Sequence, residues 1–262
     1  MSDEKPKNLI DYNKWLKDKL DIEISSRDNR YYESVTSTIK TNFEKSDFWV
    51  RLIENFREYN DEYLLQTGFP LMRDTRPEIV IKPFDSLVIK TYRKNILENK
   101  NWPTEPQGGW ILPTNWFTRI NDIVRTLFEV KYLDGVGFMI EKIKSQCEDS
   151  HTNCNVFLEA REEGYYAAHL YIKQNFEIPR ENWDTERVDV SIEFQITTQL
   201  QEVIRTVLHD YYENSRLKPK DEVKWQWEYQ SDEFAVRYLG HILHYVEGMI
   251  VEIRDKQKER IS

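Results

Sequence analysis

The chain has 262 residues, with 46 Asp+Glu against 37 Lys+Arg, a formal net charge of −9 and 13% aromatic residues. That length supports a sizeable core, and the aromatic content excludes a disordered composition. The negative balance argues against a surface that binds nucleic acid throughout, leaving room only for a local basic patch.

The opening Met-Ser-Asp-Glu-Lys-Pro-Lys-Asn is charged and predicts no secretion signal. No stretch approaches the roughly eighteen consecutive apolar residues of a membrane span. Cys147 and Cys154 are the only cysteines. With His151 they lack a fourth ligand and match no zinc spacing, so reduced thiols in a cytoplasmic protein are expected.

Leu9, Ile10, Tyr12, Trp15, Leu16 and Leu20 recur at helical spacing over 9–25. Further helices are predicted over 27–43 and 46–65, the last ended by Gly68-Phe69-Pro70. Residues 1–77 thus read as a helical extension. Ile79-Val80-Ile81 predicts a short strand, and 84–97 a helix on which Lys90, Arg93 and Lys94 share one face. That face is either solvated or a phosphate-binding surface.

Residues 98–118 hold Trp102, Trp110 and Trp116 among three prolines and Gly108-Gly109, which predicts a loop. Its tryptophans either anchor it to the core, the preferred reading, or form a base-stacking wall. A strand is expected over 120–130, a helix over 133–145 and a strand over 155–160. Another strand begins at Gly164, with Tyr165, His169, Tyr171 and Lys173 on one face. Residues 174–186 read as a polar loop.

Residues 187–199 alternate strictly, with Val188, Val190, Ile192, Phe194 and Ile196 against Asp189, Ser191, Glu193 and Gln195. This is a strand with one polar face: an edge strand facing water, or the floor of a reaction site. A helix over 198–214 and a long one over 232–256 follow, making 215–262 a C-terminal helical extension. On the last helix His241, His244 and Glu247 lie three apart, and histidines flanking the core are preferred there to a metal site.

The order of these pieces carries more than any one of them. Lys82-Pro83-Phe84-Asp85-Ser86 with Lys90 and Arg93 is followed by Asp122 and Gly164-Tyr165-Tyr166-Ala167-Ala168-His169. Glu193-Phe194-Gln195-Ile196-Thr197-Thr198-Gln199 and Leu208-His209-Asp210-Tyr211-Tyr212 complete the series. The series resembles the RelA/SpoT synthetase domain over residues 78–214. The resemblance implies an α/β (α+β) fold with a mixed, nucleotidyltransferase-like sheet, flanked by helices at both ends.

It further implies transfer of pyrophosphate from ATP to the 3′-hydroxyl of GTP or GDP. Mg²⁺ would be held by Asp122 and Glu193, which are also the catalytic carboxylates. The acceptor would meet Tyr165, His169 and Gln195, and donor ATP would meet Lys82, Ser86, Lys90 and Arg93. Val80, Leu127 and Thr197 stand where the family carries arginine. These departures leave two alternatives: a toxin-type member acting on a tRNA 3′ end or an adenine nucleotide, with an antitoxin partner, or a non-catalytic nucleotide-binding module. A homo-oligomer is compatible with any of them. The family's hydrolase domain needs a His-Asp metal pair, and no histidine precedes His151.

Overall fold

The structure, a computed structural model, describes residues 4–72, 76–180, 184–207 and 225–259. In chain order the elements are α1 (Leu9–Leu20), α2 (Ser26–Glu44), α3 (Asp47–Glu54), α4 (Phe56–Thr67), β1 (Ile79–Ile81) and α5 (Phe84–Tyr92). A π turn (Arg93–Leu97), α6 (Trp116–Arg119), β2 (Val124–Val130), α7 (Leu133–Asp149), β3 (Cys154–Ala160) and β4 (Tyr166–Pro179) follow. The last are β5 (Thr185–Thr198), α8 (Gln199–Val207), a 3₁₀ turn (Trp225–Trp227) and α9 (Asp232–Glu259). The fold is α+β around a mixed five-stranded sheet in the order β1-β2-β5-β4-β3. None of the described helices is long and apolar enough to cross a membrane.

The chain forms two compact units that interleave along the sequence. One comprises Met1–Ser46, Ile79–Arg125 and Lys173–Glu193; the other comprises Asp47–Glu78, Thr126–Ile172 and Phe194–Ser262. In the first, α2 starts on a reciprocal cap. The Ser25 hydroxyl accepts from Arg27 N–H at 3.2 Å while Asp28 accepts from Ser25 N–H at 2.8 Å. Tyr12 and Leu16 of α1 bury against Tyr92 and Ile96. Asn95, fully buried, donates to the Tyr12 hydroxyl at 2.9 Å and to Ile111 O at 2.8 Å. Those bonds tie α1 and the tryptophan-bearing loop to the π turn.

In the second unit Phe194 meets Phe128 at 5.5 Å and Trp49 at 6.0 Å between ring centroids. Arg254 of α9, nearly inaccessible, donates to both Asp134 oxygens at 3.2 and 2.8 Å and to the Tyr63 hydroxyl at 3.0 Å. One guanidinium thereby joins α9, α7 and α4.

Several sequence expectations change. The helix expected over 46–65 is two, because Asn55 adopts ψ −7° and interrupts the run. The strand expected from 120 begins only at Val124, since Trp116–Arg119 forms a helical turn and residues 121–123 bend. The polar loop expected over 174–186 is largely strand. Phe176 and Ile178 are buried and alternate with polar neighbours, and Arg187–Glu177 and Asn175–Asp189 pair across β4 and β5, both at 2.9 Å. The helix predicted over 198–214 is seen as Gln199–Val207, and the Leu208–Tyr212 motif lies outside the described residues.

The strand of strict alternation, β5, is third of five and not an edge. Its apolar face is fully buried at Val190, Ile192, Phe194 and Ile196. Its polar face is buried too, with Ser191, Glu193 and Thr197 at 5%, 6% and 3% exposure. A polar face placed in water would not show those values, so the edge-strand reading fails.

Candidate active site

The first unit gathers charge at the end of β1. Lys82 N–H donates to Ile123 O at 2.8 Å, and Lys82 O accepts from the buried Tyr32 hydroxyl at 2.7 Å, so the backbone on both sides of this lysine is fixed. The turn that follows Ile120 presents Asp122 to two ammoniums. Lys82 Nζ lies 3.1 Å from one carboxylate oxygen and Lys90 Nζ 2.8 Å from the other.

Burial alone would raise the Asp122 carboxyl, but Lys90 and Lys82 outweigh it and hold it below the usual range. Burial, helped by the neighbouring Lys90, draws the Lys82 ammonium down despite Asp122. Ser86 stands in the first turn of α5, whose N-cap is Pro83 and has no side-chain cap. A helix start with open amides beside lysines suits phosphate oxygens.

Arg93 opens the wide π turn, which changes the register after Tyr92. Its guanidinium bonds Glu98 at 2.7 Å, and Lys94 takes the other Glu98 oxygen at 2.8 Å. The three cations of the sequence pattern therefore divide, Lys90 toward Asp122 and the other two toward Glu98. Glu193 is buried at the end of the same unit, in β5.

The second unit holds Tyr165, His169 and Gln195. The antiparallel register sets Glu159 of β3 opposite Ala167 and Phe157 opposite His169, so Glu159 is a diagonal neighbour of His169 on one face. His169 Nε2 lies 3.3 Å from the Glu159 carboxylate and 3.5 Å from the Tyr165 hydroxyl. Arg161 pairs with Glu159 at 2.8 Å and places its guanidinium 5.3 Å from the Tyr165 ring centroid. Gln195 donates to the Tyr165 hydroxyl. The His169 hydrogen bond, followed by Arg161, pulls the Glu159 carboxyl down to about 2 against its burial.

Gly164, at φ +79°, makes the turn before Tyr165, and the backbone of Gly240 in α9 packs directly on it. Next to this contact the His244 ring stacks on Tyr166 at 3.6 Å, and His241 Nδ1 meets the Tyr166 hydroxyl at 2.8 Å. Glu247 accepts from Gln201 at 3.1 Å, and burial raises its carboxyl. These three residues thus fasten α9 beside the turn.

Sequence reasoning missed Glu159 and Arg205. Glu159 becomes legible only once the β3–β4 register is known. Arg205, on α8, is held by Glu202 and feels Tyr165 and Glu129, which together raise its already high basicity. It supplies a cation in the unit that also holds Thr197, which donates to Tyr166 O at 3.2 Å.

No protein-family model and no curated protein sequence matches the chain. Among solved structures, it is similar to a GTP pyrophosphokinase family protein from Streptococcus pneumoniae, at 15% identity, 88% and 93% coverage of the two chains and TM-score 0.50. It is also similar to small alarmone synthetase 2 from Bacillus subtilis, at 15% identity, 88% and 97% coverage and TM-score 0.48. The third is small alarmone synthetase 1 from the same organism bound to its product pppGpp, at 16% identity, 81% and 100% coverage and TM-score 0.48.

Proposed function

We propose that this chain, which carries the RelA/SpoT-type synthetase fold, is an ATP-dependent pyrophosphokinase whose acceptor is the 3′-hydroxyl of GTP or GDP. The observation that supports this most is on β5, where Glu193 and Gln195 stand two residues apart on the polar side of the central strand. Gln195 holds Tyr165, and Glu193 is the carboxylate that this reading assigns to the transfer.

In this reading Lys82, Lys90, Ser86 and the open start of α5 receive the phosphates of ATP, with Arg93 released from Glu98 to join them. Glu193 takes the proton as the acceptor 3′-oxygen attacks the β-phosphorus and AMP departs. Tyr165 stacks on the acceptor base, held from behind by Gln195. His169, Arg161 and Arg205 face its phosphates.

Asp122 and Glu193 are hard oxygen donors of the kind Mg²⁺ takes, and Asp122 is held as a carboxylate by the Lys90 and Lys82 ammoniums. These two side chains would hold the ion, which when bound supplies neutralisation of the phosphate charge. Incubation with labelled ATP and GDP or GTP tests the proposal, with label expected on guanosine and none with Glu193→Gln.

One observation favours a different acceptor. Glu159 neutralises part of the cationic charge around Tyr165, and Thr197 removes more, which suits an acceptor that brings fewer phosphates, such as a tRNA 3′ end or an adenine nucleotide with a single phosphate. Label on one of these, with guanosine unlabelled, would establish that reading instead.

A further inference from the structure

A second concave feature lies in the unit containing α1 and does not involve Asp122, Lys82 or Lys90. Trp15 of α1 meets Trp110 at 4.9 Å and Trp102 at 5.4 Å between ring centroids, and Trp102 and Trp110 are 6.4 Å apart. The three planes are inclined to one another by 62°, 50° and 75°, so they form a corner and not a stack. A cavity of about 370 Å³ opens on this corner, with Glu4, Glu105 and Lys19 also in its lining.

Anchoring explains why the tryptophans pack on α1. It does not explain why a cavity within the size range of small-molecule sites is left against them. Charge decides what suits it. Two carboxylates face one ammonium, and Glu105 has no ion pair among the described residues, while Glu4 is engaged only by the exposed Lys7 at 2.7 Å. Indole faces are the strongest aromatic partners for a cation, and the carboxylates add attraction of the same sign. Phosphates would be repelled by those carboxylates, which disfavours a nucleotide and with it the base-stacking wall. We propose that this corner binds a small alkylammonium cation.

The full chain titrated with choline and, separately, with spermidine tests this by calorimetry, with tryptophan fluorescence as a second readout. The neutral isostere 3,3-dimethylbutan-1-ol serves as control. Saturable binding of at least one of the two cations is expected, with the isostere about tenfold weaker than choline if choline is the one bound. Glu105→Gln should weaken the bound cation several-fold at an unchanged melting temperature, and Trp110→Ala should abolish binding. Trp110→Ala is read only if it remains folded, and otherwise Glu105→Gln decides. No saturation by either cation, an isostere that binds as tightly as choline where choline itself saturates, or a Glu105→Gln protein of unchanged affinity would overturn the proposal.

Discussion

Lys90 holds its ammonium 2.8 Å from one oxygen of Asp122 while Lys82 approaches the other at 3.1 Å, so this carboxylate is gripped from both sides. All three side chains are largely withdrawn from water, at 26%, 14% and 12% exposure for Lys90, Asp122 and Lys82. Removing the carboxylate leaves two like charges facing each other without compensation. Asp122→Asn is therefore expected to cost about 3 kcal/mol in urea unfolding. Transfer activity, measured where the variant is still folded, should fall about a hundredfold or more. A variant as stable as the parent would contradict the pairing.

Gly240 and Gly137 make opposite predictions for the same substitution. A Cβ at Gly240 would collide with the Gly164 carbonyl oxygen and come within 2.9 Å of its carbon, both backbone atoms that cannot swing aside. Gly240→Ala should cost about 1–3 kcal/mol. Because Tyr165 follows Gly164 directly, KM for the acceptor should rise more than KM for ATP. Gly137, exposed in α7, has nothing within 4 Å of the added atom. Gly137→Ala should stabilise by about 0.5–1 kcal/mol through helix propensity alone. Thermal melts of the two variants check both signs.

Glu159 gives the protein a specific acid response. Its carboxyl moves from the ordinary 4.5 to about 2, chiefly through His169, with Arg161 adding. A depressed carboxylate contributes stability that is fully present above the unfolded value and is lost as pH falls through the folded one. The window is therefore pH 4.5 to about 2. Urea unfolding at pH 5 and pH 3 should show a larger loss in the parent than in Glu159→Gln, and equal losses would contradict the contact.

The parts legible in the sequence were those written in a local period. Strict alternation gave β5, and apolar spacing gave α2 and α9, to within a few residues. What β5 does was not legible, because alternation describes two unlike faces and not how many strands lie beside it. The burial of Ser191, Glu193 and Thr197 comes from what packs over that face, which no local period records. Residues 174–179 were lost for a related reason: Gln174, Asn175 and Glu177 look like loop when Phe176 and Ile178 are not read in phase with the strand before them. Lys82, Lys90 and Asp122 were named from their order alone, and their meeting at one carboxylate is a tertiary fact. Glu159 was invisible because its role depends on a diagonal contact across β3 and β4.

The central claim is that Glu193 on β5 serves pyrophosphoryl transfer to a nucleotide. Its most direct measurement is a single-turnover assay with β-labelled ATP, Mg²⁺ and a panel of GDP, GTP, an adenine nucleotide and tRNA, comparing the parent with Glu193→Gln at matched melting temperature. The account predicts label on the 3′-oxygen of guanosine for the parent, with the rate reduced about a hundredfold or more in the variant. ATP that binds without any label transferred to any acceptor, or a Glu193→Gln protein that transfers as fast as the parent, would contradict it.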